Sequence, residues 1–174
     1  SGFHEPYLMG ANRRAGVGAP DYVKYMLSRP VKVQPGSEFV YSTADSILAG
    51  RMVEKAVGKR LSEYLYERFF EPLGQGFPIW ENCPQGHPIG GGGMFMTLSN
   101  MLKIGQVYLM DGKWKGQQLV DPAWIKEATA KQIETPNPGN DIWVCGYGYQ
   151  FWRNPYEDSY RADGAYGQLT MVLP

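Results

Sequence analysis

Tyr41 is the residue of this chain whose setting most suggests chemistry. It follows Glu38-Phe39-Val40, whose aromatic and β-branched content predicts a short strand, and precedes a helical run that Ser42 or Thr43 can cap. A tyrosine at the mouth of a buried helix can hold its hydroxyl in a cleft, where a phenol can transfer protons. In mid-helix it would pack. On its residues alone, Tyr41 fits better a core tyrosine with a satisfied hydroxyl.

Other reactive side chains are sparse. His4 and His87 are the two histidines, far apart in sequence, so no histidine metal site is indicated and a Ser-His-Asp triad has few candidates. Cys83 and Cys145 belong to no C-x-x-C, which points to neither zinc nor a redox motif. A single disulfide and two partly buried thiols of the cytoplasmic kind both remain open. The run Gly90-Gly-Gly-Gly93 is not a phosphate loop, since no Gly-Lys-Ser/Thr follows it. Its backbone must instead pass something closely or turn sharply. No cofactor is called for.

The elements that must position these residues follow from pattern. Pro35-Gly36 is a turn pair ahead of the short strand. From Ala44 the spacing is helical, with Ala44, Leu48, Met52 and Ala56 on one face, joined by Ala49 and Val53, and with Arg51, Glu54 and Lys55 on another. Gly58 supplies the stop. Before this, residues 1–19 read as loop, and Pro20-Asp21 opens a short amphipathic helix closed by Pro30. After it, Leu61, Leu65 and Phe69 mark a second helix that ends at Pro72-Leu73-Gly74 and should pack on the first. Thr97 caps a third, whose face carries Met101, Ile104 and Tyr108 with Leu98, Leu102, Gly105 and Leu109. Asp121-Pro122 starts a fourth through Trp124, Ile125 and Ala128. From Gly146 the character changes to three strand-like runs, separated by Asn154-Pro155 and Asp163-Gly164. The expected fold is α+β, a helical layer on a partial antiparallel sheet, with residues 1–145 mainly helical and 146–174 beginning the sheet.

The totals agree with one globular domain: 174 residues, 43% apolar, with 17 basic and 17 acidic side chains. The absence of a basic run argues against nucleic acid or an anionic membrane as main partner. No apolar run approaches the ~20 residues that span a bilayer. The start at Ser1-Gly2, without methionine or signal peptide, reads as cut or processed and leaves the compartment open, with cytoplasm favoured over export.

Taken together, six segments resemble the serine hydrolases related to class C β-lactamases and penicillin-binding proteins, a group with esterases, D-amino-acid peptidases and aminohexanoate-oligomer amidases. They are Gln34-Pro-Gly-Ser-Glu-Phe-Val-Tyr-Ser42, Leu61-Ser-Glu-Tyr-Leu65 with Phe70-Glu-Pro-Leu-Gly74, Gly91-Gly-Gly-Met-Phe-Met-Thr97, Leu109-Met-Asp-Gly-Lys-Trp-Lys-Gly116, Gly146-Tyr-Gly-Tyr-Gln-Phe-Trp152 and Gly164-Ala-Tyr-Gly-Gln168. Each is weak alone. Six in the family's order make the match specific.

The resemblance implies a serine of a Ser-x-x-Lys motif attacking a carbonyl, with lysine and a tyrosine handling protons. No serine of this chain has lysine three residues on; Ser28 and Ser99 have one at four. The family's Ser-x-x-Lys lies upstream of the position that Ser1-Gly2 resembles, so the chain is expected to be a middle piece without the nucleophile. Tyr41 matches the tyrosine of Tyr-x-Asn, and Thr43 stands for the asparagine, which places β-lactamase activity in doubt and leaves ester or amide hydrolysis. The third motif falls on Ala162-Asp163-Gly164, without its cation. The amide after its glycine, that of Ala165, would complete the oxyanion hole. Asp163 would meet a cationic substrate group or occupy a turn, beside Gly164. The partner so implied is a small ester, amide or peptide. The alternative is a nucleophile-free domain of the same fold that binds peptides or cell-wall fragments.

Overall fold

A computed structural model describes residues 20–31, 33–136 and 145–174, in two compact units divided between Phe95 and Met96. The loop expected over residues 1–19, with His4, lies outside the described residues. Short helices and small antiparallel sheets make the fold α+β, as its sequence predicts.

In the first unit, α1 (Tyr22–Leu27) is capped by Asp21, whose carboxylate accepts from Lys24 N at 3.0 Å. It buries Tyr22 and Met26 against Ala44, Ile47, Cys83 and Ile89, the core of this unit. Helix α2 (Thr43–Val57) starts from Ser42, whose hydroxyl accepts from Asp45 N at 3.3 Å, and ends at Gly58 in the left-handed conformation, φ +68°. Its buried line is not the expected one. Ala44, Ile47, Gly50 and Glu54 face inward, while Met52 is 71% exposed. The every-fourth-residue apolar series holds for Ala44 and for Leu48, which packs against the core, and fails at Met52, beyond which Glu54 is held inside by polar partners that an apolar pattern cannot register.

Helix α3 (Leu61–Leu65) packs on α2, runs on into a π-helical turn over Tyr66–Phe70, and gives way to a turn in which Leu73 is buried and Gly74 has φ +66°. Strands β1 (Ile79–Trp80) and β2 (Met94–Phe95) pair antiparallel, Ile79 opposite Phe95. The turn at Pro35-Gly36 is present, with Ser37 N donating to Gln34 O at 3.1 Å. The strand expected at Glu38–Tyr41 is not: among the described residues these four lie in no strand, since strand-like composition does not by itself make a ladder.

In the second unit, α4 (Leu98–Leu109) is capped by Thr97, whose hydroxyl accepts from Asn100 N at 3.2 Å. A hairpin of β3 (Lys113–Trp114) and β4 (Gln117–Gln118) follows, then α5 (Pro122–Thr129), capped by Asp121 and burying Ile125 and Ala128. Strands β5 (Trp152–Arg153), β6 (Tyr160–Asp163) and β7 (Leu169–Val172) form an antiparallel sheet in that order, and α4 packs on β7. Gly105 allows the approach, since a Cβ there would stand 2.8 Å from Thr170 Cγ2. Of the face expected on α4, Leu98 and Leu102 are instead 79% and 69% exposed. The sheet covers only the stripe through Met101, Ile104 and Tyr108, where a cavity of about 240 Å³ is lined also by Tyr160 and Ala162.

The candidate active site

The residues that the sequence predicts for a site fall in two pieces of the chain, one in each compact unit. The first is the N-terminal end of α2. Tyr41 precedes the Ser42 cap and is 55% exposed, so its ring sits at the helix mouth rather than in the core. Thr43 is the first residue of the helix, where unpaired backbone N–H groups and the helix dipole give a partial positive charge.

The glycine run lies directly on this end of α2. A Cβ on Gly91 would stand 2.6 Å from Thr43 Cγ2 and 2.9 Å from Thr43 O, and one on Gly90 would stand 2.4 Å from Ser46 O. None of these three distances is attainable by a real side chain. The close passage that the sequence requires of these glycines is therefore against the first two turns of α2. Trp80 fixes the run from the other side, its Nε1 donating to Ile89 O and Gly92 O, both at 2.9 Å.

Glu54 anchors the same segment further along the helix. Its side chain is 7% exposed; Oε1 accepts from Leu61 N at 2.9 Å, and Oε2 accepts from Arg51 Nη1. His87 Nδ1 lies 3.0 Å from Oε2 without hydrogen-bond geometry. One carboxylate thus joins α2, the start of α3 and the loop that leads into Gly90. The sequence pattern put Glu54 with Arg51 and Lys55 on a face apart from the apolar series. The Arg51-Glu54 spacing of three was the only signal of a local pair. A cavity of about 890 Å³ opens beside Arg51, Glu54 and His87, and Tyr41 does not line it.

The second piece is the hairpin between β6 and β7. Asp163 closes β6, in register with Leu169. Its Oδ2 accepts from Arg161 Nε at 3.2 Å. Arg161 is 2% exposed and also donates from Nη1 to Arg153 O at 3.0 Å and Asn154 Oδ1 at 2.7 Å. Gly164 N donates to Gln168 O at 2.9 Å and Gly164 O accepts from Gly167 N at 3.1 Å, which makes the turn. Ala165 is exposed at its tip, and its amide has no acceptor among the described residues. Tyr41 and Thr43 thus share one helix mouth, and Asp163, Gly164 and Ala165 share one hairpin. Among the described residues no cluster of His, Cys, Asp or Glu could hold a metal ion, no disulfide joins the cysteines, and no helix is long and apolar enough to cross a membrane.

Chemically, the first piece offers a phenol beside a helix N-terminus and the second an unpaired amide donor. A phenol and an amide N–H are group types that acyl transfer can use. The family model for beta-lactamase matches residues 1–174, and the chain belongs to the beta-lactamase family. The fold is shared with the "Putative 6-aminohexanoate-dimer hydrolase" of Bacillus anthracis, at a TM-score of 0.76 and 20% identity over 98% of this chain and 49% of that one. It is shared also with the D-amino acid amidase of Ochrobactrum anthropi SV3, at 0.56 and 19% over 80% of this chain and 46% of that one. A stretch of 55 residues is 38% identical to the lovastatin esterase of Penicillium rubens, covering 32% of this chain and 14% of the esterase. The chain spans about half the length of the solved structures it resembles.

Proposed function

We propose that this chain is part of a serine hydrolase that cleaves ester or amide bonds through an acyl-enzyme, its Ser-x-x-Lys nucleophile supplied by sequence outside the chain. The observation that carries this is Tyr41, exposed at the mouth of α2, in a chain of the beta-lactamase family. Tyr41 receives or returns the proton of the attacking serine, with the absent lysine as its ammonium partner. Thr43 takes the place of the motif's asparagine, and the Ala165 amide stabilises the developing oxyanion. Gly164 and Asp163 line the substrate side of the hairpin, Asp163 with the oxygen that Arg161 does not take. The names of the similar proteins, a dimer hydrolase, an amidase and an esterase, favour a small ester or amide as substrate.

The test uses a fluorophosphonate and mass spectrometry on the full-length protein that carries this chain and on the chain alone. Stoichiometric labelling of a serine in a Ser-x-x-Lys upstream of Ser1, with none in residues 1–174, is expected. No labelling in the full-length protein would favour a binding domain for peptides or cell-wall fragments. Labelling of a serine within residues 1–174 would overturn the assignment of the nucleophile.

A further inference from the structure

The β6–β7 hairpin holds a side-chain contact to which the proposed chemistry assigns no part. Gln168 is the last residue of the turn, and its Oε1 accepts from Tyr166 N at 3.3 Å. Its backbone carbonyl accepts from Gly164 N at 2.9 Å, while Gly164 O accepts from Gly167 N at 3.1 Å. Of the four amides from Gly164 to Gly167, three therefore have acceptors inside the turn. The fourth is that of Ala165.

We propose that Gln168 is a positioning residue: its side-chain carbonyl takes the Tyr166 amide, so that the Ala165 amide alone is presented by this turn to a substrate carbonyl oxygen. This rests on the reading of Ala165 as oxyanion donor. A free Tyr166 amide would leave two neighbouring donors competing for water and for the same oxygen, on a turn with one fewer tie. A preorganised donor acts because its direction is fixed before charge develops. The same contact gives Gly164 a reason to be glycine, since a Cβ there would lie 2.6 Å from Gln168 Oε1. That atom is the end of a flexible side chain. Gly164→Ala is expected to push it aside and release Tyr166 N, which is the lesion that Gln168→Ala makes directly.

The experiment measures amide hydrogen exchange of Ala165 and Tyr166 by NMR, and kcat and KM on a short-chain ester, both in the full-length protein. In the wild type, Tyr166 N–H should exchange several-fold more slowly than Ala165 N–H. Gln168→Ala should abolish the difference, whereas Gln168→Glu, which keeps an acceptor in place, should retain it. In the enzyme, Gln168→Ala should lower kcat about tenfold with little change in KM, the mark of an interaction made in the transition state. Gln168→Glu should recover part of that loss. Gly164→Ala combined with Gln168→Ala should cost no more than either alone, because coupled sites are not additive.

Equal exchange of the two amides in the wild type would overturn the proposal, whatever the activity. So would an unchanged kcat in Gln168→Ala once the loss of Tyr166 protection has been seen. A full-length protein without any turnover would instead overturn the hydrolase reading, and the exchange measurement would still decide what Gln168 does to the turn.

Discussion

Gly91 lies against Thr43 so closely that a Cβ on the glycine would reach 2.6 Å from the threonine methyl group. The neighbouring Gly90 stands in the same relation to the backbone, 2.4 Å from Ser46 O. The glycine run is thus a packing surface for the helix mouth that carries Tyr41.

The consequence can be measured. Gly90→Ala forces a methyl group against a carbonyl oxygen that cannot turn away, and overpacking of this kind costs about 1–3 kcal/mol. A fall of several degrees in the thermal midpoint is expected for Gly90→Ala. Gly36→Ala gives a contrast, since nothing lies within 4 Å of its Cβ and only the φ of +83° opposes it. An unchanged midpoint in Gly90→Ala would show that the run does not rest on α2.

Glu54 makes a second prediction. Glu54→Ala leaves Leu61 N without its acceptor and the Arg51 guanidinium without its carboxylate. Breaking a buried pair by removing one partner costs several kcal/mol, and with Arg51 28% exposed the expected loss is about 2–4 kcal/mol. Glu54→Gln, which can still accept from Leu61 N, should lose less. Urea unfolding of the two variants checks the order, and equal loss would assign the effect to charge alone.

The apolar face of the second unit predicts a pH dependence. Burial pushes the Tyr160 hydroxyl up to about 12, helped by Tyr108 and Asp111 and opposed by Arg153; burial likewise raises Tyr108. An unfolded tyrosine ionises near 10, so between about 10 and 12 the folded state holds a proton that the unfolded state has released. Stability from this group is therefore fully present below about pH 10 and is lost as pH rises to about 12. Ultraviolet titration should show a tyrosine step near 12 that Tyr160→Phe removes. A titration complete by pH 11 would contradict the burial described here.

Much of this was legible in the chain itself. Asp21, Ser42, Thr97 and Asp121 are caps whose local chemistry determines where the helices begin, and Gly58 marks an end, so these elements could be read from a few adjacent residues. The hairpin at Asp163-Gly164 was readable for the same reason. What escaped was decided at a distance. Strand composition at Glu38–Tyr41 does not by itself make a ladder. Glu54 is buried because Leu61 N and Arg51 meet it there, with His87 alongside, and Arg161 because Arg153, Asn154 and Asp163 take up its charge and donors. Apolar periodicity reports which side chains leave water. It does not report polar groups that go with them. At the site, Tyr41 and Ala165 were found through resemblance, whereas Gln168 could be seen only once the turn was closed.

The central claim is that Tyr41 moves a proton. A free phenol of pKa near 10 is a poor base at neutral pH, so its use depends on a nearby ammonium, which the lysine of the upstream motif would supply. Tyr41→Phe removes one oxygen and keeps the ring. In the full-length protein its thermal midpoint should change by no more than one lost hydrogen bond allows, roughly 1 kcal/mol. Its kcat on a short-chain ester and on a small amide should fall by about 10²–10⁴-fold, the range for loss of a positioned acid-base group. Wild-type kcat in Tyr41→Phe on every substrate that the protein hydrolyses would show that Tyr41 only packs at the mouth of α2, and would contradict the account.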